Sequence, residues 1–179
     1  MCSANQWLDH RAALPPSACN NETAMNSFAD LDAPTERTLV VVFTDVTGFV
    51  KEFQNRTNRE MFDLMSQFYE LIGNEVEASR GKVVKFIGDA ALLVYPEEHA
   101  ERAVEALQQL KATADKWLKA HGLRGEFRIR AHMGPVVCGL LGTAGEKRFD
   151  VLGDTVNVTA RLHSEGLTLS PELQRHLQS

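Results

Sequence analysis

The residues able to do chemistry gather in three short stretches. Asp45 follows Val40-Val41-Val42-Phe43-Thr44, a run of β-branched residues closed by an aromatic, and stands three residues before Gly48. Asp89 directly follows Gly88, between Lys85-Phe86-Ile87 and Ala90-Ala91-Leu92-Leu93-Val94-Tyr95. Two carboxylates delivered at the ends of apolar runs, each near a glycine, are what a divalent-metal site for phosphate chemistry requires. Taken singly, each also reads as a turn aspartate; the pair points to a metal. Lys85 lies four residues before Asp89 and reads on its own as a solvated strand lysine. In the third stretch, Arg148 to Leu162, either Asp154 or Thr155 can cap a helix that puts Asn157 and Arg161 on one face. A carboxamide beside a guanidinium suits anionic oxygens, although the polarity of a solvated helix explains the two equally well.

The elements that must position these groups follow from periodicity. After the first strand, apolar residues recur at Met61, Leu64, Met65, Phe68, Leu71, Ile72 and Val76, which predicts a helix stopped near Gly81. Lys82–Phe86 and Ala91–Tyr95 read as a hairpin, and Glu97–Ala120 as a second helix ended by His121-Gly122. Phe127, Ile129, Ala131 and Met133 alternate with Arg128, Arg130 and His132 in a half-buried strand. Gly134-Pro135 is expected to turn the chain into a further strand, Val136–Leu141, with Cys138 as a small core residue. His132 reads as structural, and no side chain offers itself as a general base. The resulting order, β-α-β-β-α-β-β with a helix-rich end, predicts an α+β fold. It is a ferredoxin-like βαββαβ sandwich with an antiparallel sheet, helices packed on one face and extra C-terminal elements. The other face needs a cover, for which a second subunit is the candidate.

The composition sets bounds. The 179 residues, 44% of them apolar, suit one core. Residues 1–36, broken by Pro15-Pro16, Asn20-Asn21 and Pro34, read as an N-terminal arm or linker with a short helix around Asn5–Ala13; residues 37–179 read as the folded domain. A formal net charge of -5 argues against nucleic acid as a partner. Three cysteines without a CxxC pair favour a reducing compartment. No apolar run approaches the roughly twenty residues of a membrane span, and no secretory block opens the chain. A cytoplasmic protein is expected.

Four segments carry a family resemblance. Phe43-Thr44-Asp45-Val46-Thr47-Gly48-Phe49, Lys85-Phe86-Ile87-Gly88-Asp89, Gly134-Pro135-Val136-Val137-Cys138-Gly139 and Asp150 through Arg161 resemble, in order and approximate spacing, the motif series of class III nucleotidyl cyclases. The resemblance implies a role for each matching position. Asp45 and Asp89, with Val46 counted beside them, match the positions that hold two Mg²⁺ or Mn²⁺ ions. Lys85 and Asp150 match the pair that reads the purine; Asn157 and Arg161 match the pair that orients the ribose and stabilises the transition state. In this family the metal ligands come from one subunit and the other four residues from its partner. With all six filled, the resemblance implies a homodimer with two complete sites.

The implied activity is that of an adenylate cyclase, converting ATP to 3′,5′-cyclic AMP and pyrophosphate. Adenine presents an acceptor at N1 and a donor at its 6-amino group, which a lysine and an aspartate satisfy. A guanylate cyclase, which generally carries other residue types at this pair, is the nearest alternative. A catalytically silent nucleotide- or partner-binding module would be expected to have lost one of the six residues. A metal-dependent phosphohydrolase could use Asp45 and Asp89 but would not require Lys85 and Asp150. One departure from the family stands out: His163-Ser164-Glu165-Gly166 leads straight from Arg161-Leu162 into Leu167-Thr168-Leu169, a connector several residues short. Ser170-Pro171-Glu172 then opens a short helix.

Overall fold

The computed structural model describes residues 28, 33–52, 54 and 56–179. The short helix expected around Asn5–Ala13 lies outside them.

The central strand is β1 (Thr35–Val46), and its valines explain why. Val40, Val41 and Val42 are completely buried, which requires cover on both faces of the sheet. Antiparallel neighbours flank it, β3 (Ala90–Pro96) on one side and β4 (Phe127–Gly142) on the other. The outer strands are β2 (Lys82–Ile87) and β5 (Lys147–Leu152), giving the order β2-β3-β1-β4-β5. A short β6 (Leu167–Leu169), at the segment after the short connector, adds to β4 in parallel. Ser164 closes that connector by donating its hydroxyl to the carbonyls of Ile129 (3.1 Å) and Gly166 (2.9 Å).

Two long helices cover one face. The first of them, α2 (Asn58–Ala78), follows a single-turn α1 (Phe49–Glu52) and starts at a capping box. There Thr57 accepts from the Glu60 N–H while the Glu60 carboxylate accepts from the Thr57 N–H. It buries Met61, Leu64, Phe68, Ile72 and Val76, the residues whose spacing predicts it. Phe68 sits 4.9 Å from Trp117 of α3 (Ala100–Ala120) and 5.7 Å from Phe127 of β4, centroid to centroid, so one ring joins both helices to the sheet.

The opposite face is partly covered by the chain itself. A second cluster of Leu39, Val41, Leu92, Val94, Val136, Cys138 and Val151 packs with Phe28 and with Val156 of α4 (Asp154–Arg161). Helices therefore lie on both faces, the two long ones on one and α4 on the other. The C-terminal α5 (Pro171–His176) is capped by Ser170, whose hydroxyl oxygen accepts from the Leu173 N–H. Buried His132 meets the same hydroxyl at 2.8 Å, a structural contact as expected.

Three local readings are corrected. Gly134-Pro135 does not turn the chain: β4 stays in register with β1 from Phe127 through Cys138. On its other flank β4 pairs with β6 up to Ala131 and with β5 from Val137, so Pro135 falls in the interval between, where a missing N–H is tolerated. The strand after β4 is instead Lys147–Leu152. At the end of α2 the left-handed residue is Arg80 (φ 66°), not Gly81. Gly81 is required for space, because a Cβ there would lie 2.4 Å from the Tyr95 ring. Finally, neither Asp154 nor Thr155 caps α4; Gly153 holds that position, and the Thr155 hydroxyl donates to the Pro135 carbonyl at 2.6 Å, fixing the helix to β4.

Candidate active site

Asp45 is the penultimate residue of β1, and register places it directly opposite Arg128 of β4. The Arg128 Nε and Nη2 donate to Asp45 Oδ1 at 2.8 and 2.5 Å. Arg130, two residues on and on the same face, donates from Nη2 to Asp45 Oδ2. The carboxylate is 15% exposed. Neither arginine was singled out from sequence. Alternation puts both on one face of a strand, but only the β1–β4 register shows that Asp45 faces them.

Asp89 reaches the same place from the β2–β3 hairpin. Its Oδ2 accepts from the Val46 N–H at 2.9 Å, so the two aspartates and Val46 lie side by side at adjoining strand ends. The hairpin turns at Gly88, whose φ of 60° favours a residue without Cβ. Tyr69 of α2 steadies the turn, stacking on Phe86 (3.9 Å between centroids) and donating its hydroxyl to the Gly88 carbonyl at 2.5 Å. Burial, with the Asp89 charge adding to it, raises the Tyr69 hydroxyl above the usual tyrosine range and keeps it a donor.

Among the described residues no three His, Cys, Asp or Glu side chains come together as metal ligands. The hard-cation donors here are therefore two carboxylates and the adjacent Val46 backbone. That set fits Mg²⁺ or Mn²⁺, which take one or two carboxylates and complete their shells with water and substrate phosphates. It does not fit a self-sufficient metal cage.

Lys85 and Asp150 are brought together across the molecule. They lie on the edge strands β2 and β5, yet Lys85 Nζ donates to Asp150 Oδ2 at 2.5 Å. Lys82 stands 5.2 Å from the Phe149 ring centroid in a second contact between the edges. The twisted sheet thus curls until its edges approach, enclosing a cleft of about 770 Å³ lined by Val83, Lys85, Phe86, Arg148, Phe149 and Asp150. Asn157 and Arg161 sit four apart on α4, both exposed, and neither side chain makes a hydrogen bond or ion pair to another described residue. Elsewhere β4 and β5 leave Val137, Leu140, Leu141 and Leu152 about half exposed, at 43–55%.

The adenylate and guanylate cyclase catalytic domain family matches residues 31–176, and the chain belongs to it. It is 29% identical over 134 residues to adenylate cyclase 1 of Rhizobium meliloti (strain 1021), a match covering 69% of this chain and 20% of that protein. The chain thus spans about a fifth of that relative's length. Its fold is similar to that of the adenylyl cyclase CyaB from P. aeruginosa (TM-score 0.74, 20% identity, 82% of this chain and 83% of that one). It is equally similar to the guanylyl cyclase Cya2 (TM-score 0.72, 20% identity, 80% and 79%). No helix among the described residues is long and apolar enough to cross a membrane.

Proposed function

We propose that the chain is an adenylate cyclase, converting ATP to 3′,5′-cyclic AMP and pyrophosphate at sites shared between two copies of itself. The observation that carries this reading is the Lys85–Asp150 pair, which sets a donor and an acceptor side by side on the wall of a nucleotide-sized cleft. Adenine offers the complementary order on one edge, N1 to accept and the 6-amino group to donate; guanine offers the reverse.

Two Mg²⁺ or Mn²⁺ ions held by Asp45, Asp89 and the Val46 backbone would supply activation of the ribose 3′-hydroxyl and neutralisation of the triphosphate. The remaining work is orientation and electrostatics. Lys85 and Asp150 hold the base, Asn157 orients the ribose, and Arg161 meets the charge that develops on the α-phosphoryl group. An arginine in that role contributes on the order of a thousandfold or more in rate. Asn157 and Arg161 are solvent-facing, which supports their serving a nucleotide bound to another subunit. The half-exposed Val137, Leu141 and Leu152, which alternation and register put on one face of β4 and β5, support a contact with a second subunit. Residues 37–179, with the start of β1, form the catalytic unit, and those before them act as an arm or linker.

Two measurements test this. Incubation with ATP or GTP and Mn²⁺, with products resolved by chromatography, should give cyclic AMP in preference to cyclic GMP; the opposite preference would overturn the adenine assignment. Mixing the inactive variants Asp89→Ala and Arg161→Ala under subunit exchange should restore about a quarter of wild-type turnover, since half of randomly paired dimers are mixed and each has one intact site. A fully exchanged mixture that stays inactive would exclude the shared site.

A further inference from the structure

Arg130 makes two contacts and leaves one donor unpartnered, which together say more than strand packing. Its Nη2 donates to Asp45 Oδ2, and its Nη1 donates at 3.0 Å to the carbonyl of Ala160, in the last turn of α4. Its Nε is buried with no hydrogen-bond partner among the described residues. The side chain is 20% exposed, against 37% for Arg128, so Arg130 is the more buried of the two arginines on Asp45.

The charges of Asp45, Asp89, Arg128 and Arg130 cancel. A bare divalent ion approaching Asp45 meets no net negative site, and must displace at least one guanidinium from an oxygen it needs. A nucleoside triphosphate changes that balance, because it carries the missing negative charge with the ion. Once displaced from Asp45, the Arg130 guanidinium, whose buried Nε has no partner, is a donor for an anionic oxygen.

We propose that Arg130 is a resident counter-cation on Asp45 that a divalent ion has to displace, making ion binding at this site conditional on nucleotide. Through the Ala160 carbonyl the same guanidinium ties the state of Asp45 to the helix that carries Asn157 and Arg161. The proposal rests on Asp45 being a metal ligand.

The test measures Mn²⁺ binding to the full chain by electron paramagnetic resonance, with and without 3′-deoxyadenosine triphosphate, which lacks the hydroxyl needed for cyclisation. Arg130→Gln should tighten nucleotide-free Mn²⁺ binding by about tenfold or more, as expected when one charge a few ångströms away is removed in partly screened surroundings. The enhancement of Mn²⁺ binding by nucleotide should shrink by a similar factor. Arg130→Lys, which keeps the charge, should behave as wild type. Arg130→Met supplies a second uncharged variant with the aliphatic stem retained, and circular dichroism confirms that each is folded. Unchanged Mn²⁺ affinity in a folded, uncharged variant would overturn the proposal while leaving the metal site standing, provided Asp89→Ala still abolishes binding. Mn²⁺ binding indifferent to Asp45→Ala and Asp89→Ala would instead overturn the metal reading, and the proposal with it.

Discussion

Asp45→Ala should destabilise the protein distinctly more than Asp89→Ala, although each removes one carboxylate from the same site. Three charge-assisted hydrogen bonds from two arginines converge on Asp45, whereas Asp89 accepts one from the Val46 N–H. Removing Asp45 strands two like charges beside each other. Breaking a fully buried ion pair costs about 3–5 kcal/mol. Here the guanidiniums retain 20% and 37% exposure and can be partly rehydrated. Solvent screening then reduces the expected loss to about 2 kcal/mol. Losing the Asp89 acceptor should cost about 1 kcal/mol or less. In a domain of this size about 1 kcal/mol moves the melting temperature by about 2–4 °C, so Asp45→Ala should melt about 4–8 °C below wild type and Asp89→Ala within about 4 °C. Thermal denaturation followed by circular dichroism reads the difference. Raising the salt from about 0.1 M to about 1 M should narrow the gap by screening the stranded arginines. Adding Arg130→Ala to Asp45→Ala should cost less than the sum of the single losses. Equal melting temperatures for the two aspartate variants would refute the reasoning, since Asp45 would then not be balancing the arginines.

Lys85→Glu combined with Asp150→Cys should move relative activity from ATP toward GTP while lowering both, which chromatography of the products would read; a retained full preference for ATP would show that this pair does not read the base. Gly81→Ala should destabilise by about 1–3 kcal/mol in urea unfolding, because the new Cβ meets Tyr95 at 2.4 Å and Val76 at 2.8 Å. Gly73→Ala, in the middle of α2 with nothing within 4 Å of its Cβ, should instead stabilise by up to about 1 kcal/mol. Burial raises the Tyr95 hydroxyl above the ordinary tyrosine range, with Ser79 opposing and Glu75 adding. The folded state therefore favours the neutral phenol, and that stability is intact below the unfolded-chain value of about 10 and lost as pH rises toward the folded one. Tyr95→Phe should flatten the decline in stability measured above about pH 10.

What the sequence determined by itself was local. The spacing of Met61, Leu64, Phe68, Ile72 and Val76 specifies α2 because a 3.6-residue period leaves one stripe to bury, and that stripe is the one the fold uses. Val40 to Val42 mark the central strand because only a strand covered on both faces tolerates continuous apolar residues. The aspartates, the lysine and the Asn157–Arg161 spacing were visible for the same reason, each lying within a few residues of a recognisable strand end or helix start.

Tertiary structure decided which of these groups meet. Lys85 and Asp150 are 65 residues apart and become a 2.5 Å pair only because the sheet's twist curls its edges together, a property of the whole sheet and not of any segment. Gly134-Pro135, locally a turn signal, became the middle of a sixteen-residue strand because β1 pairs with it from Phe127 through Cys138 and the flank that Pro135 cannot serve has no strand to bond. Arg128 and Arg130 gave no sign of their role until register set Asp45 against them. Alternation along a strand fixes which side chains share a face, but the residues opposite depend on how two distant strands slide into pairing.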